Sequence, residues 1–363
     1  MLTHFRNILR LHQCKVSGNI KNDKQSVYKT LRQFSSAQTG NRKVLKIGVQ
    51  GAGFDKGQRK PGVERGPTTI RSSGFIDFLR DEVGHDVVDY GDLKFEVEER
   101  KSLDTSSSST VALRNVVEVG KANLLISKST AKIIGQEKRI PLTLGGDHSI
   151  AIGTIHGVSE VVQDLAVLWV DAHCDINTPG STPTGNMHGM SLSFLLKELK
   201  GHGIPEFSWA IPRISARNLA YIGLRSVDAG ERKLLDNLGI TAYSMRDVDR
   251  LGIVEVTRCA LEKIAPSGSK RPLHISFDID VLDDLELGGA SSVTGTAVEG
   301  GLTLREGMTL LEEVREKANI VSMDLVEVNP ALGSDEAAKR TATLTKHLFG
   351  SVFGYCRGGM YLS

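Results

Sequence analysis

From residue 44 onward, short apolar runs alternate with longer stretches whose apolar residues recur every three or four positions. Residues 44–49, 86–90, 140–144, 165–170, 219–223, 273–277 and 320–325 read as strands. Gly66-Pro67 opens a helical stretch through residue 78, with Pro suited to the first turn. Helical spacing also covers 111–134, resumes at Ser149 and returns over 188–199. A Ser-rich segment, 105–110, reads as a loop. The strands are mostly unbroken apolar runs, as expected where helices cover both faces of a sheet. Such alternation predicts an α/β fold: a single three-layer domain with a mainly parallel sheet flanked by helices. The body, 44–353, shows no repeat, internal linker or second-domain boundary. Residues 354–363 form a short tail.

In open α/β sheets, ligands bind beyond the carboxyl ends of the strands. Three strand ends here carry polar clusters. The run 140–144 leads into Gly145-Gly146-Asp147-His148-Ser149. The run 165–170 leads into Asp171-Ala172-His173-Cys174-Asp175, and 273–277 into Asp278-Ile279-Asp280. Asp171, His173 and Asp175 recur every second residue, as do Asp278 and Asp280. In extended backbone such residues point to one side. Carboxylates packed this way repel one another unless cations lie between them. Four carboxylates are balanced by two divalent ions. Two imidazoles, oxygen donors and no required thiolate suit a hard ion such as Mn²⁺ better than structural zinc. An isolated Asp-x-Asp after a strand is more often a turn or cap. Three such clusters at three strand ends reverse that preference.

Charge divides the chain in two. Of 45 basic and 43 acidic residues, nine basic and one acidic fall within 1–43, leaving 36 and 42 for the rest. A mildly acidic body argues against a nucleic-acid partner. No apolar run approaches the roughly 18 residues of a membrane span. The leader is Arg-bearing and poor in acids, and Leu2, Phe5, Ile8, Leu9 and Leu11 can share one helical face. That pattern predicts a mitochondrial presequence, disordered or cleaved, and hence a matrix protein, with the cytoplasm as the alternative. Cys14, Cys174, Cys259 and Cys356 show no CxxC spacing, so neither a disulfide framework nor a zinc ribbon is expected.

With these motifs in hand, the chain resembles the arginases of the ureohydrolase family, and with its leader a mitochondrial-type, animal-like member. The motifs are 51–66 with Lys56-Gly57 and Gly62-Val63-Glu64, then 144–149, 169–177, Asn186-Met187-His188-Gly189, 221–231, 276–283, 300–307 and 324–333. The resemblance implies manganese-dependent hydrolysis of L-arginine to L-ornithine and urea by a metal-bridged hydroxide, with two Mn²⁺ per subunit. It implies metal ligands at His148, Asp171, His173, Asp175, Asp278 and Asp280, with Asp171 and Asp278 bridging. His188 matches a proton-shuttling histidine, Asp175 a proton carrier and Glu327 the carboxylate that holds the substrate guanidinium. Asn177, Thr184, Asp228, Glu231 and Thr296 match positions that recognise the rest of the substrate. A homo-oligomer, as a homotrimer, is also implied.

The sequence departs from the family at three places. Ser226 stands where arginases commonly carry Asp, and Thr184 where Ser is common. After Asp283 the usual Pro is missing, and residues 284–293 make a longer loop beside two metal ligands. Two other readings share these residues: an agmatinase or other guanidino-compound ureohydrolase, and a catalytically silent binding relative. Asn177, Thr184, Asn186 and Asp228 favour arginine over agmatine, which has no α-carboxylate.

Overall fold

The unbroken apolar runs form one all-parallel sheet. The computed structural model describes residues 44–95, 111–200, 202–288, 293–355 and 357. The leader 1–43, the 105–110 loop, part of the 284–293 loop and most of the tail lie outside them. The strands are β1 (Lys46–Ala52), β2 (Asp86–Asp92), β3 (Ile140–Gly145), β4 (Ala166–Val170), β5 (Leu219–Leu224), β6 (Thr241–Ser244), β7 (Pro272–Asp278) and β8 (Asn319–Val326). They pair in the order β2-β1-β3-β8-β7-β4-β5-β6, each pair parallel. The last strand in sequence therefore sits in the middle, between β3 and β7.

Side chains alternate across the sheet, and both faces of the central strands are buried. On β4, Leu168 and Val170 join one apolar cluster while Val167 and Trp169 join another. Helices α1 (Gly66–Ser72), α5 (Ile253–Ile264), α6 (Leu304–Lys317) and α7 (Asp335–Val352) contribute to the first cluster. Helices α3 (Ala151–Val161) and α4 (Ala229–Leu238) pack on the opposite face, joined there by α2 (Val116–Gly135). No helix among the described residues is long and apolar enough to cross a membrane.

Four expectations need adjustment. The helix expected over 66–78 breaks after Ser72, where Gly74 takes φ 75°, and resumes over 75–82. The long helix begins at Val116 rather than residue 111, because Asn115 adopts φ 49° and its side chain bonds the Lys56 carbonyl. The stretch 188–199 forms not an α-helix but two 3₁₀ segments, His188–Phe194 and Lys197–Leu199. There Ser191 and Ser193 donate their hydroxyls to the carbonyls three residues back, competing with α-helical bonding. The edge strand β6 was not expected at all. It is four residues long and only partly covered, so it lacks the apolar run that marks the others.

Candidate metal centre

Each cluster at a strand end turns its donors into one space because the chain around it is tightly laced. After β3, the Gly146 amide bonds the Ala52 carbonyl, and the Gly146 carbonyl accepts from the Glu327 amide. Main-chain atoms of Phe54 lie within 3 Å of where a Cβ on Gly146 would sit, so no larger residue fits. Asp147 caps the following 3₁₀ turn through the Ser149 amide and also accepts from the Gly57 amide at 2.7 Å. His148 is thereby fixed at the carboxyl edge, fully buried.

Its Nδ1 lies 3.0 Å from Asp171 Oδ2, 3.3 Å from Asp175 Oδ2 and 3.1 Å from Asp278 Oδ2. His173 Nδ1 lies 3.5 Å from Asp171 Oδ1 and 3.1 Å from Asp280 Oδ2. Two donor groups result, His148–Asp171–Asp175 and Asp171–His173–Asp280, each with its ligand atoms within 4.8 Å of one another. Asp171 belongs to both, one carboxylate oxygen to each side. Asp278 contacts the first group through Oδ2 and accepts the Asp280 amide through Oδ1. All six residues expected as ligands are thus brought together.

The electrostatics fit a pair of cations. Burial, then repulsion from neighbouring carboxylates, pushes Asp175 and Asp278 well above the usual carboxylate range. Burial alone would lower His148 and His173, but the surrounding carboxylates raise both well above an ordinary imidazole. Burial also opposes ionisation of Asp171, yet its bonds to the two imidazoles hold it below the normal range. Four carboxylates crowd two imidazoles here, and divalent ions between the same donors would balance their charge.

Residues behind the ligands fix their orientation, and sequence reasoning missed them. Trp169 stacks on the His148 ring with centroids 4.0 Å apart and donates Nε1–H to Asp171 Oδ2 at 2.8 Å. His148 Nε2 meets Ser276 Oγ at 2.9 Å, and Ser276 donates to Asp324 Oδ1 at 2.6 Å. Thr154 and His274 bond the other Asp324 oxygen, and His274 reaches Ser322. All are buried. A signal existed: His274, Ser276 and Asp278 alternate along β7, and His274 and Ser276 pair with Ser322 and Asp324 on β8. Buried polar residues on one face of two apolar strands need partners. Such outer partners set the tautomer and direction of a ligating imidazole.

Across from the ligands, Glu327 Oε1 accepts from the His148 amide at 2.9 Å and pairs with His188 Nδ1 at 3.0 Å. Burial lowers His188, but bonding to Glu327 and the nearby Asp175 and Asp147 raise it to about 9. Glu327 and Asp175 both take left-handed backbone, φ 64° and 48°. Non-glycine residues held this way store roughly 1–3 kcal/mol each and cluster at functional sites.

The residues expected to recognise the far end of the substrate divide. Asn177 donates to Asp228 at 2.9 Å, and Thr184 is exposed with its hydroxyl on the Asn186 amide. Asn177 and Asp228 thus form a loop-and-helix rim, with Thr184 further along the same loop. Glu231 is buried, both oxygens accepting main-chain amides of Ile176 and Asp228 as part of the α4 capping box. It braces the rim rather than offering a free carboxylate. The Thr296 hydroxyl donates to Asp280 Oδ2 at 2.7 Å, which makes it a partner of a metal ligand. Cys174 packs in the apolar cluster with Trp169, away from the ligand atoms.

Fold and site together define a parallel α/β hydrolase with a two-cation centre at its carboxyl edge. The chain belongs to the arginase family, whose pattern matches residues 45–354. It is 45% identical to Arginase-1 of Oryctolagus cuniculus over 87% of this chain and 95% of that one. Arginase-1 of Homo sapiens is also 45% identical, over 86% and 94%. Among solved structures, the arginase of Bacillus caldovelox superposes with a TM-score of 0.76 at 36% identity, covering 87% of this chain and all of that one.

Proposed function

We propose that the protein hydrolyses L-arginine to L-ornithine and urea, with Mn²⁺ as its resident metal. The observation that carries this reading is the placement of Glu327, a buried carboxylate with His188 on one oxygen, bonded to the amide of His148, whose donor group shares Asp171 with the second. When bound, a pair of divalent ions lowers the pKa of water near neutrality and offsets negative charge developing on the attacked carbon's substituents.

The chain's own residues supply the rest. Glu327 orients the planar guanidinium by a charge-assisted hydrogen bond. Asp175 would take a proton from the attacking water at its carboxylate and deliver it to the departing amine. His188, partly open to solvent and bound through Nδ1, exchanges protons with bulk water through Nε2. Asn177, Thr184 and Asp228 form the rim that reads the α-amino and α-carboxylate groups.

Urea release from arginine, agmatine and guanidinobutyrate, measured with metal-depleted and Mn²⁺-loaded protein, tests the reading. Arginine should be preferred and activity should require Mn²⁺; preference for agmatine overturns the substrate, and metal binding without urea supports a silent relative. The proposal extends to a homotrimer in the mitochondrial matrix, resting on the family resemblance and the basic leader. A fusion of residues 1–43 to a reporter that stays in the cytosol would overturn the location, and a single-chain sedimentation mass the assembly.

A further inference from the structure

Arg225 lies just beyond β5 and joins the two loops that carry the metal ligands. Its main-chain amide donates to the Ala172 carbonyl at 3.0 Å, between Asp171 and His173, and the Ser226 amide does the same. Its guanidinium reaches the other loop. Nη2 donates to the Asp280 carbonyl at 2.6 Å and to Leu282 at 3.3 Å, and Nη1 to Val281 at 3.3 Å. Nε and Nη2 donate to Val298, at 3.0 and 2.7 Å, and Nη1 to Gly223 at 3.4 Å. Among the described residues, every hydrogen bond of this side chain goes to a main-chain carbonyl. A half-buried guanidinium near four carboxylates would ordinarily pair with one of them. Here the acceptors are the backbone of Gly223, of 280–282 and of 298, the last lying two residues past Thr296, which itself bonds Asp280.

The pocket for the guanidinium depends on a glycine. A Cβ on Gly301 would sit 2.7 Å from Arg225 Nη2 and 2.6 Å from Asp283 N, so a side chain there would displace one or the other. Asp283 in turn accepts the Gly300 and Gly301 amides. Together these contacts close the base of the 284–293 loop, the segment longest relative to the family's usual pattern. Ala172 completes the bridge: its amide meets Asp280 Oδ1 at 3.3 Å while its carbonyl holds Arg225.

We propose that Arg225 is a positioning residue that fixes the spacing between the 171–175 and 278–282 loops, and so secures the cation held by Asp171, His173 and Asp280. The inference rests on the two-cation reading of the site. The group His148–Asp171–Asp175 shares Asp171, but it is braced from behind by Trp169, Ser276 and Asp324, contacts that do not involve the Arg225 guanidinium. Loss of the guanidinium therefore acts unequally on the two positions.

The test is Mn²⁺ titration of metal-depleted protein, with bound Mn²⁺ per chain counted by electron paramagnetic resonance, on the parent, Arg225→Met, Arg225→Lys and Gly301→Ala. Arg225→Met should bind one Mn²⁺ with parental affinity and the second about 10- to 100-fold more weakly, the usual effect of losing an outer partner. Raising Mn²⁺ should restore kcat, with KM for arginine unchanged. Arg225→Lys should fall between, because an ammonium cannot span the Asp280 and Val298 carbonyls as a planar fork does. Gly301→Ala should imitate Arg225→Met although Arg225 is intact. Parental binding of both ions in Arg225→Met overturns the proposal, as does equal weakening of both. If Arg225→Met does not fold, the same comparison in Arg225→Lys decides. A parent that binds fewer than two Mn²⁺ overturns the two-cation reading itself, and this inference with it.

Discussion

Asp171→Asn is expected to weaken both cation positions at once and to lower urea release by on the order of 10³-fold or more, the scale of several kcal/mol of lost charge stabilisation. Asp171 is the residue common to both donor groups, with Oδ2 toward His148 and Oδ1 toward His173. An amide at that place keeps the shape but removes the charge and turns an NH₂ toward the cations or toward the Trp169 donor. His173→Ala or Asp280→Ala should also lose activity, but with one ion bound, since each of those residues belongs to a single group. The fold should persist in all three, because the apolar clusters on both sheet faces do not include these side chains. Bound Mn²⁺ per chain and circular dichroism read the two effects separately. Full activity in Asp171→Asn would refute the metal assignment.

Glu327→Gln should lower kcat/KM for arginine by roughly 10- to 100-fold, the equivalent of one charged hydrogen bond of about 1.5–3 kcal/mol. Gln keeps an oxygen that can accept from the His148 amide and His188, so the geometry survives and the charge alone is lost. The same change releases His188. In the parent, its pKa of about 9 lies above the ordinary imidazole value. Stability from the pair is therefore full below pH about 6.5 and fades as pH rises through about 9. The metal-free variant should lack that dependence, and proton resonances of the His188 ring should titrate below the parent's value. An unchanged kcat/KM would falsify the role of Glu327.

Much of this was legible because the fold speaks through runs and the site through spacing. β4 announces itself as an apolar pentad, and the period of two in Asp171-x-His173-x-Asp175 states which side the donors share. The resemblance named Glu327 and His188, which spacing alone leaves as a solvated acid and a surface histidine. What stayed hidden depended on pairing across strands. The link from Ser276 to Asp324 exists only because β8 lies beside β7, and 40 or more residues separate them in sequence. Arg225 was hidden for a similar reason: its partners are carbonyls, which no side-chain pattern reveals. Glu231 and Thr296 show the opposite case. Both lie where the family pattern places substrate contacts, yet their oxygens are already engaged by the protein.

The strand order has a consequence for how the chain reaches this state. Synthesis proceeds from β1 to β8, but β8 is the strip that joins β2-β1-β3 to β7-β4-β5-β6. Before residues 319–326 emerge, the two half-sheets share no hydrogen-bonded edge. His148 waits on one half while Asp171, His173, Asp175, Asp278 and Asp280 wait on the other. The open edges of β3 and β7 flank an apolar slot, the kind of unpaired surface that attracts other chains. Assembly of the metal cage is thus a late, long-range event in folding. The segment that ends in Glu327 acts as a keystone, and cation capture reports that it has dropped into place.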